Sequence, residues 1–264
     1  MSAATVRHPK GPPAEAPGLA AGLFVQGVLD SSVGAKVLMA LTGLGLVVFL
    51  ILHLIGNLKL LSGPESINQY AHFLKHDLGL LLWIARAGLL VIFVLHIYLA
   101  IRLKARAFAA RPVPYACPAS AQAGIASRTM IWTGAVVGLF TLFHLAHYTF
   151  ALGFGTDAYE PGVGYVYKNY LELRDTEGRH NVYEMMVAGF SNGPLAAIYV
   201  VAQLALFVHL RHGIQSAFQT LGLKNTRFRK PIDLLGLAVA LALLLGNCAI
   251  VFAVQFGWVK SELR

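Results

Sequence analysis

Residues 36–57 read KVLMALTGLGLVVFLILHLIGN. Between the lysine that opens this run and the asparagine that closes it, the only hydrogen-bonding side chains are Thr42 and His53. At about 1.5 Å per residue the run covers the ~30 Å hydrocarbon core of a bilayer. A helix lets it do so with every backbone group paired. Four more runs of the same kind follow at about 78–103, 130–152, 194–221 and 234–258. The sequence therefore predicts an all-α membrane protein, a bundle of five transmembrane helices. Composition agrees. The chain of 264 residues is 57% hydrophobic and 12% charged, with a mean hydropathy of +0.64. A soluble domain carries about 25% charged residues, so an ordinary soluble core is excluded.

The net charge of +9 has to be read by position. Lys and Arg fall between the apolar runs and not on one contiguous surface, which points to topology and away from a nucleic-acid partner. The second loop holds Arg102, Lys104, Arg106, Arg111 and Arg128, and the fourth holds Arg211, Lys224, Arg227, Arg229 and Lys230. By the positive-inside rule these loops and the N-terminus are cytoplasmic and the C-terminus is outside. Residues 1–30, rich in Pro, Ala and Gly, read as a cytoplasmic tail, and 31–260 as the membrane domain. The first apolar run is too long for a signal-peptide core. The long loop between the third and fourth spans carries Tyr159, Tyr165, Tyr167, Tyr170 and Tyr183, as an interfacial aromatic cap would. Cys117 and Cys248 are too far apart in sequence to suggest a disulfide framework or a CxxC metal site.

Of ten histidines, His53, His96, His144, His147, His209 and His212 fall within or at the ends of the first four spans. Ionisable groups in lipid are costly, so their default reading is functional. Depth sorts them. His53 lies 17 residues beyond Lys36 and His144 lies 16 beyond Arg128, about 24–25 Å into outward-running spans and so near the outer side. His96 and His209, on spans running the other way, lie some 22–24 Å down, toward the cytoplasm. Two imidazoles at each of two depths is what bis-histidine ligation of two stacked b haems requires. In both outward spans a Thr-Gly pair, Thr42-Gly43 and Thr133-Gly134, precedes the histidine by 11 and 10 residues, and so lies on nearly the same face. Gly43 and Gly134 there would admit a flat macrocycle or a neighbouring helix. The shared spacing favours His144 over His147. His212, beside Arg211, suits a propionate or headgroup contact better than ligation.

The ordered set of segments resembles a known family, the single-chain, five-helix, dihaem cytochrome b anchor of succinate dehydrogenase and fumarate reductase, respiratory complex II. The segments are His53-Leu-Ile-Gly-Asn57 with Asn68-Gln-Tyr-Ala-His72-Phe73, Phe93-Val-Leu-His96, and Thr133-Gly134 through Phe143-His144. Asn181-Val-Tyr-Glu-Met-Met186 through Phe190-Ser191, then Val208-His209 and Gly213, completes it. The likeness runs from about residue 31 to 258. It implies that His53 and His144 ligate an outer haem and His96 and His209 an inner one, the pairing that depth gives separately. Where some fumarate reductases of this family carry a glutamate tied to proton movement, two residues before the fourth ligand, this chain has Phe207. Cys248 has no second cysteine nearby in sequence, so haem and not an iron-sulfur cluster is expected.

No dinucleotide fingerprint and no cysteine cluster occurs, so FAD and iron-sulfur centres would belong to partner subunits. The resemblance implies a flavoprotein and an iron-sulfur protein docked on the basic cytoplasmic face, with electrons passing through the two haems to menaquinone or ubiquinone. It also implies a multi-pass protein of the cell's inner (cytoplasmic) membrane, and a trimer of complexes is in keeping with it. For the quinone site, Asn57, Asn68 and His72 offer hydrogen-bonding groups on the outer side and Ser32, Lys36 and Arg102 on the inner; two-haem family members favour the outer. Capping and bonding within the loop is the alternative for Asn68 and His72. Arg86, near the outer end of the second span, suits a haem propionate. Two rivals stand beside this reading. A histidine-relay transporter would need carboxylates among the histidines, and the spans hold almost none. The other is the dihaem anchor of a hydrogenase or formate dehydrogenase.

Overall fold

The computed structural model describes residues 26–110, 125–160 and 162–262. Most of the expected N-terminal tail, together with Arg111 and Cys117 of the second loop, lies outside the described residues. The first long helix, α1 (Ser32–Asn57), starts where the Ser31 hydroxyl accepts from the Gly34 amide at 3.2 Å, which satisfies one of the unpaired donors at a helix start. A tight turn, Leu58–Ser62, carries it on to Gly63. There φ is +97°, a backbone geometry that favours glycine. The short helix α2 (Pro64–His72) follows, then a wide π turn at Phe73–Asp77 and the helix α3 (Gly79–Ala109). The helix α4 (Ile125–His144) likewise closes in a π turn, Leu145–Thr149. Beyond come strands β1 (Gly155–Glu160) and β2 (Gly164–Asn169), the helix α5 (Val182–Ser191), and the long helices α6 (Gly193–Thr220) and α7 (Arg229–Gln255).

Among the described residues five helices, α1, α3, α4, α6 and α7, are long and apolar enough to cross a membrane. The chain is thus a mostly helical, multi-pass membrane protein. Its observed helices outrun or fall short of the apolar runs in places. The third regular helix ends at His144, before the predicted 152, because the backbone widens into the π turn and then turns left-handed at Ala151, φ 44°. The long loop after it is more than an aromatic cap. Its strands form an antiparallel hairpin that pairs Tyr159 with Tyr165, rings 5.6 Å apart. Aromatic cross-strand pairs of this kind stabilise isolated ribbons.

Helices α1 and α6 form the centre, with α7 packed behind them. Gly246 of α7 admits the Leu54 side chain of α1 closely, and Asn247 donates to Gln203 of α6 at 3.2 Å. The other two spans are outriggers: α3 packs on α1 and α4 packs on α6, and α3 and α4 make at most marginal contact with each other. Only Leu99 of α3 is buried. The side of the bundle between α3 and α4 therefore has little helix-to-helix contact across it.

Candidate functional site

Two levels of imidazoles occur within the four helices α1, α3, α4 and α6. At the end remote from the hairpin, the far end, α1 presents Thr42-Gly43 to His96 of α3, and α4 presents Thr133-Gly134 to His209 of α6. The Thr42 hydroxyl lies 2.8 Å from the Leu38 carbonyl and 3.2 Å from His96 Nδ1. The Thr133 hydroxyl lies 3.2 Å from the Thr129 carbonyl and 3.3 Å from His209 Nδ1. Glycine is needed beside each threonine: a Cβ on Gly43 would meet His96 Cε1 at 3.1 Å, and one on Gly134 would meet His209 Cε1 at 3.2 Å. The two helix pairs are therefore built alike, the first helix supplying Thr-Gly and the second the histidine. The Thr-Gly pair serves the histidine of the neighbouring helix, which its spacing from His53 and His144 does not reveal.

These contacts fix a proton. A helical threonine hydroxyl has one hydrogen, and here the carbonyl of its own preceding turn takes it. The oxygen is left to accept, so Nδ1 of each histidine carries the ring hydrogen and Nε2 keeps a lone pair.

At the hairpin end, His53 of α1 and His144 of α4 face each other with ring centres 5.8 Å apart and planes at 88°. Phe49 stacks on His53 at 5.3 Å. His144 Nδ1 lies 3.2 Å from the hydroxyl of Tyr199, which is 5% exposed and also lies 2.9 Å from His147 Nδ1. His144 and His147, three residues apart across the start of the π turn, thus share one tyrosine that sequence reading missed, since nothing local marks Tyr199 among the apolar residues of α6. His53, His96, His144 and His209 are all half-buried. His147 is 0% exposed, packed on Tyr148 and Phe154 at 4.0 and 4.4 Å, and its Nε2 has no hydrogen-bond partner among the described residues. The four half-buried rings remain partly accessible, and His147 is not. No cluster of three or more His, Cys, Asp and Glu forms among the described residues.

The remaining expected residues scatter. Gly213 and Phe207 line no histidine contact, and His212 sits half-buried on α6, one turn past His209. Arg86 is exposed and lies over Trp83 at 5.0 Å. Asn57 is half-buried where α1 gives way to the tight turn. Asn68, 1% exposed, spends its amide on architecture: it donates to Asn181 at 3.2 Å and accepts from the Tyr183 amide at 3.0 Å, tying α2 to the start of α5. His72 stacks on His76 at 4.1 Å and borders two cavities, of about 640 and 480 Å³.

A polar cap closes this end. Arg179 grips Glu65 with two bonds of 3.0 and 2.6 Å and holds Asp175 at 2.8 Å, so the Arg179 hydrogen bonds hold the Glu65 carboxyl below its usual range. His180 accepts from Lys75 at 3.1 Å and donates to the Tyr170 carbonyl at 3.1 Å. Burial, then the Lys75 charge, pushes its pKa down to about 4. Glu184, 2% exposed, accepts from the Glu262 amide, and the Tyr183 hydroxyl donates to the Lys260 carbonyl at 3.0 Å, so α5 pins the C-terminal segment. No known protein family, curated protein or solved structure matches this chain.

Proposed function

We propose that this chain is the dihaem cytochrome b anchor of a succinate:quinone oxidoreductase, holding two b haems by His53 and His144 at one level and by His96 and His209 at the other. One observation carries the reading: the duplicated, two-level placement of histidines, half-buried and served by hydroxyls that leave Nε2 available at the far end. His53 and His144 face each other with ring centres 5.8 Å apart, and these two residues would hold one haem between them. The donor set also suits haem. Each level offers two protein donors, and a macrocycle would provide the rest. The side between α3 and α4, with little helix-to-helix contact across it, gives flat apolar groups somewhere to lie, and Gly43 and Gly134 keep the far-end rings close to their threonines.

Bound at the two levels, the haems supply one-electron transfer across the apolar layer. The protein's share is to hold the imidazoles in one tautomer, exclude water and set the distance between the levels. By the charge rule the far end is cytoplasmic. There Arg102 pairs with Asp30 at 2.7 Å, and Arg128, Arg211, Arg227, Arg229 and Lys230 remain exposed. This is the face on which iron-sulfur and flavin-bearing subunits would dock. Quinone would be met at the hairpin end, where His72 borders the two cavities and Asn57 lies half-buried. The protein would then sit in the inner (cytoplasmic) membrane.

The test is purification through a tag on this chain from its own membrane. The expected companions are a flavoprotein and an iron-sulfur protein, and the complex should reduce a quinone analogue with succinate. Companions of the hydrogenase or formate dehydrogenase kind, with no succinate activity, would replace this reading with its nearest rival.

A further inference from the structure

The far-end threonines do something that haem ligation by itself does not require. A histidine can be held by packing alone, as His53 is held by Phe49. Instead both far-end histidines meet the same device: a threonine one helix away, its hydrogen committed to its own helix at 2.8 and 3.2 Å, its oxygen 3.2 and 3.3 Å from Nδ1. The device is repeated with its glycine, on two helices that also share a methionine three residues before the threonine and a histidine eleven residues after it. A hydroxyl that donates becomes a better acceptor. An imidazole whose Nδ1–H is drawn toward an acceptor becomes a more basic ligand through Nε2. Both ligands of one level would be strengthened together. The hairpin-end pair has a single tyrosine, shared between His144 and a non-ligand histidine.

We infer that Thr42 and Thr133 are positioning residues that lock the tautomer of His96 and His209 and hold the reduction potential of the far-end haem below the value it would have without them. The inference rests on the dihaem reading. It goes beyond that reading by assigning part of one haem's potential to two named hydroxyls. More basic ligands favour the oxidised metal, so removing an acceptor should raise the far-end potential and leave the other where it is.

Thr→Val keeps the β-branch and removes the oxygen, whereas Thr→Ser keeps the oxygen. The experiment is a redox titration of both haem bands in the purified complex carrying T42V, T133V, T42S or T133S. Each Val variant should shift one midpoint upward, by up to about tenfold in the reduction equilibrium, which is about 59 mV for one electron. Each Ser variant should return it toward the wild type. If a Val variant loses one haem and its Ser counterpart keeps it, the positioning role stands. If the Val variants move neither midpoint or both equally, or Ser fails where Val fails, the inference is overturned. A wild-type complex without two bis-histidine haems would instead refute the dihaem reading, and that result is visible before any variant is compared.

Discussion

At the far end of the bundle each histidine leans on a threonine from its own helix partner, the same way twice; at the hairpin end one histidine stacks on a phenylalanine and the other shares a tyrosine with a third histidine. The difference follows from what surrounds each level. At the far end two helix pairs meet in the same way, Thr-Gly against histidine, so the immediate environment of the two rings is duplicated. The hairpin end also has to receive α5, the π turn and the C-terminal segment, and aromatic packing breaks the symmetry. A duplicated shell gives two equivalent histidines, and a broken one gives two that differ.

Gly43→Val and Gly134→Val should break the comparison most severely. A Cβ already meets the imidazole at 3.1 or 3.2 Å, and the added methyls have nowhere to go, at a cost of about 1–3 kcal/mol for overpacking. Haem quantification should show one haem lost or weakened and the other retained. Tyr199→Phe should act on the opposite level. It strips the Nδ1 partner from His144 and from buried His147, and an orphaned buried polar group costs about 1–3 kcal/mol. Thermal unfolding should reveal the loss, and only the hairpin-end haem band should move. A shift of the far-end band instead would show that the levels are not independent.

The smallest effect belongs to the polar cap. With its pKa at about 4 in the folded chain, His180 is neutral there while the unfolded chain titrates it near 6.5. The unfolded state therefore binds more protons between these values, and the cap's stability is full above about pH 6.5 and falls as pH drops toward 4. Protonation would set a second cation against Lys75. Cleavage of the 170–181 segment by protease, corrected for the protease's own pH dependence, should quicken a few-fold from pH 7.5 to pH 5, and His180→Asn should flatten that response.

How far these features are legible in sequence depends on whether a signal is local. Residues 36–57 announce a span because hydrophobicity needs no partner, and histidine depth follows from counting along it. The repeat of Thr-Gly is equally visible, but its target is not, because His96 and His209 lie on other helices. Tyr199 is hidden for the same reason. The hairpin did leave a signal, Tyr159 before Pro161-Gly162 and the alternating Tyr165 and Tyr167 after it, which the aromatic-cap reading passed over. Asn68 reads in sequence as a candidate quinone contact or a loop-bonding residue, and its partners Asn181 and Tyr183 become visible only once the fold brings them beside it.

The most direct measurement is a reduced-minus-oxidised spectrum with haem quantification on the wild type and on His53→Ala, His96→Ala, His144→Ala and His209→Ala. The account predicts two b haems per chain in the wild type, loss of one and the same haem in His96→Ala and His209→Ala, and loss of the other in His53→Ala and His144→Ala. A wild type without haem, or any of the four variants keeping both, would contradict it.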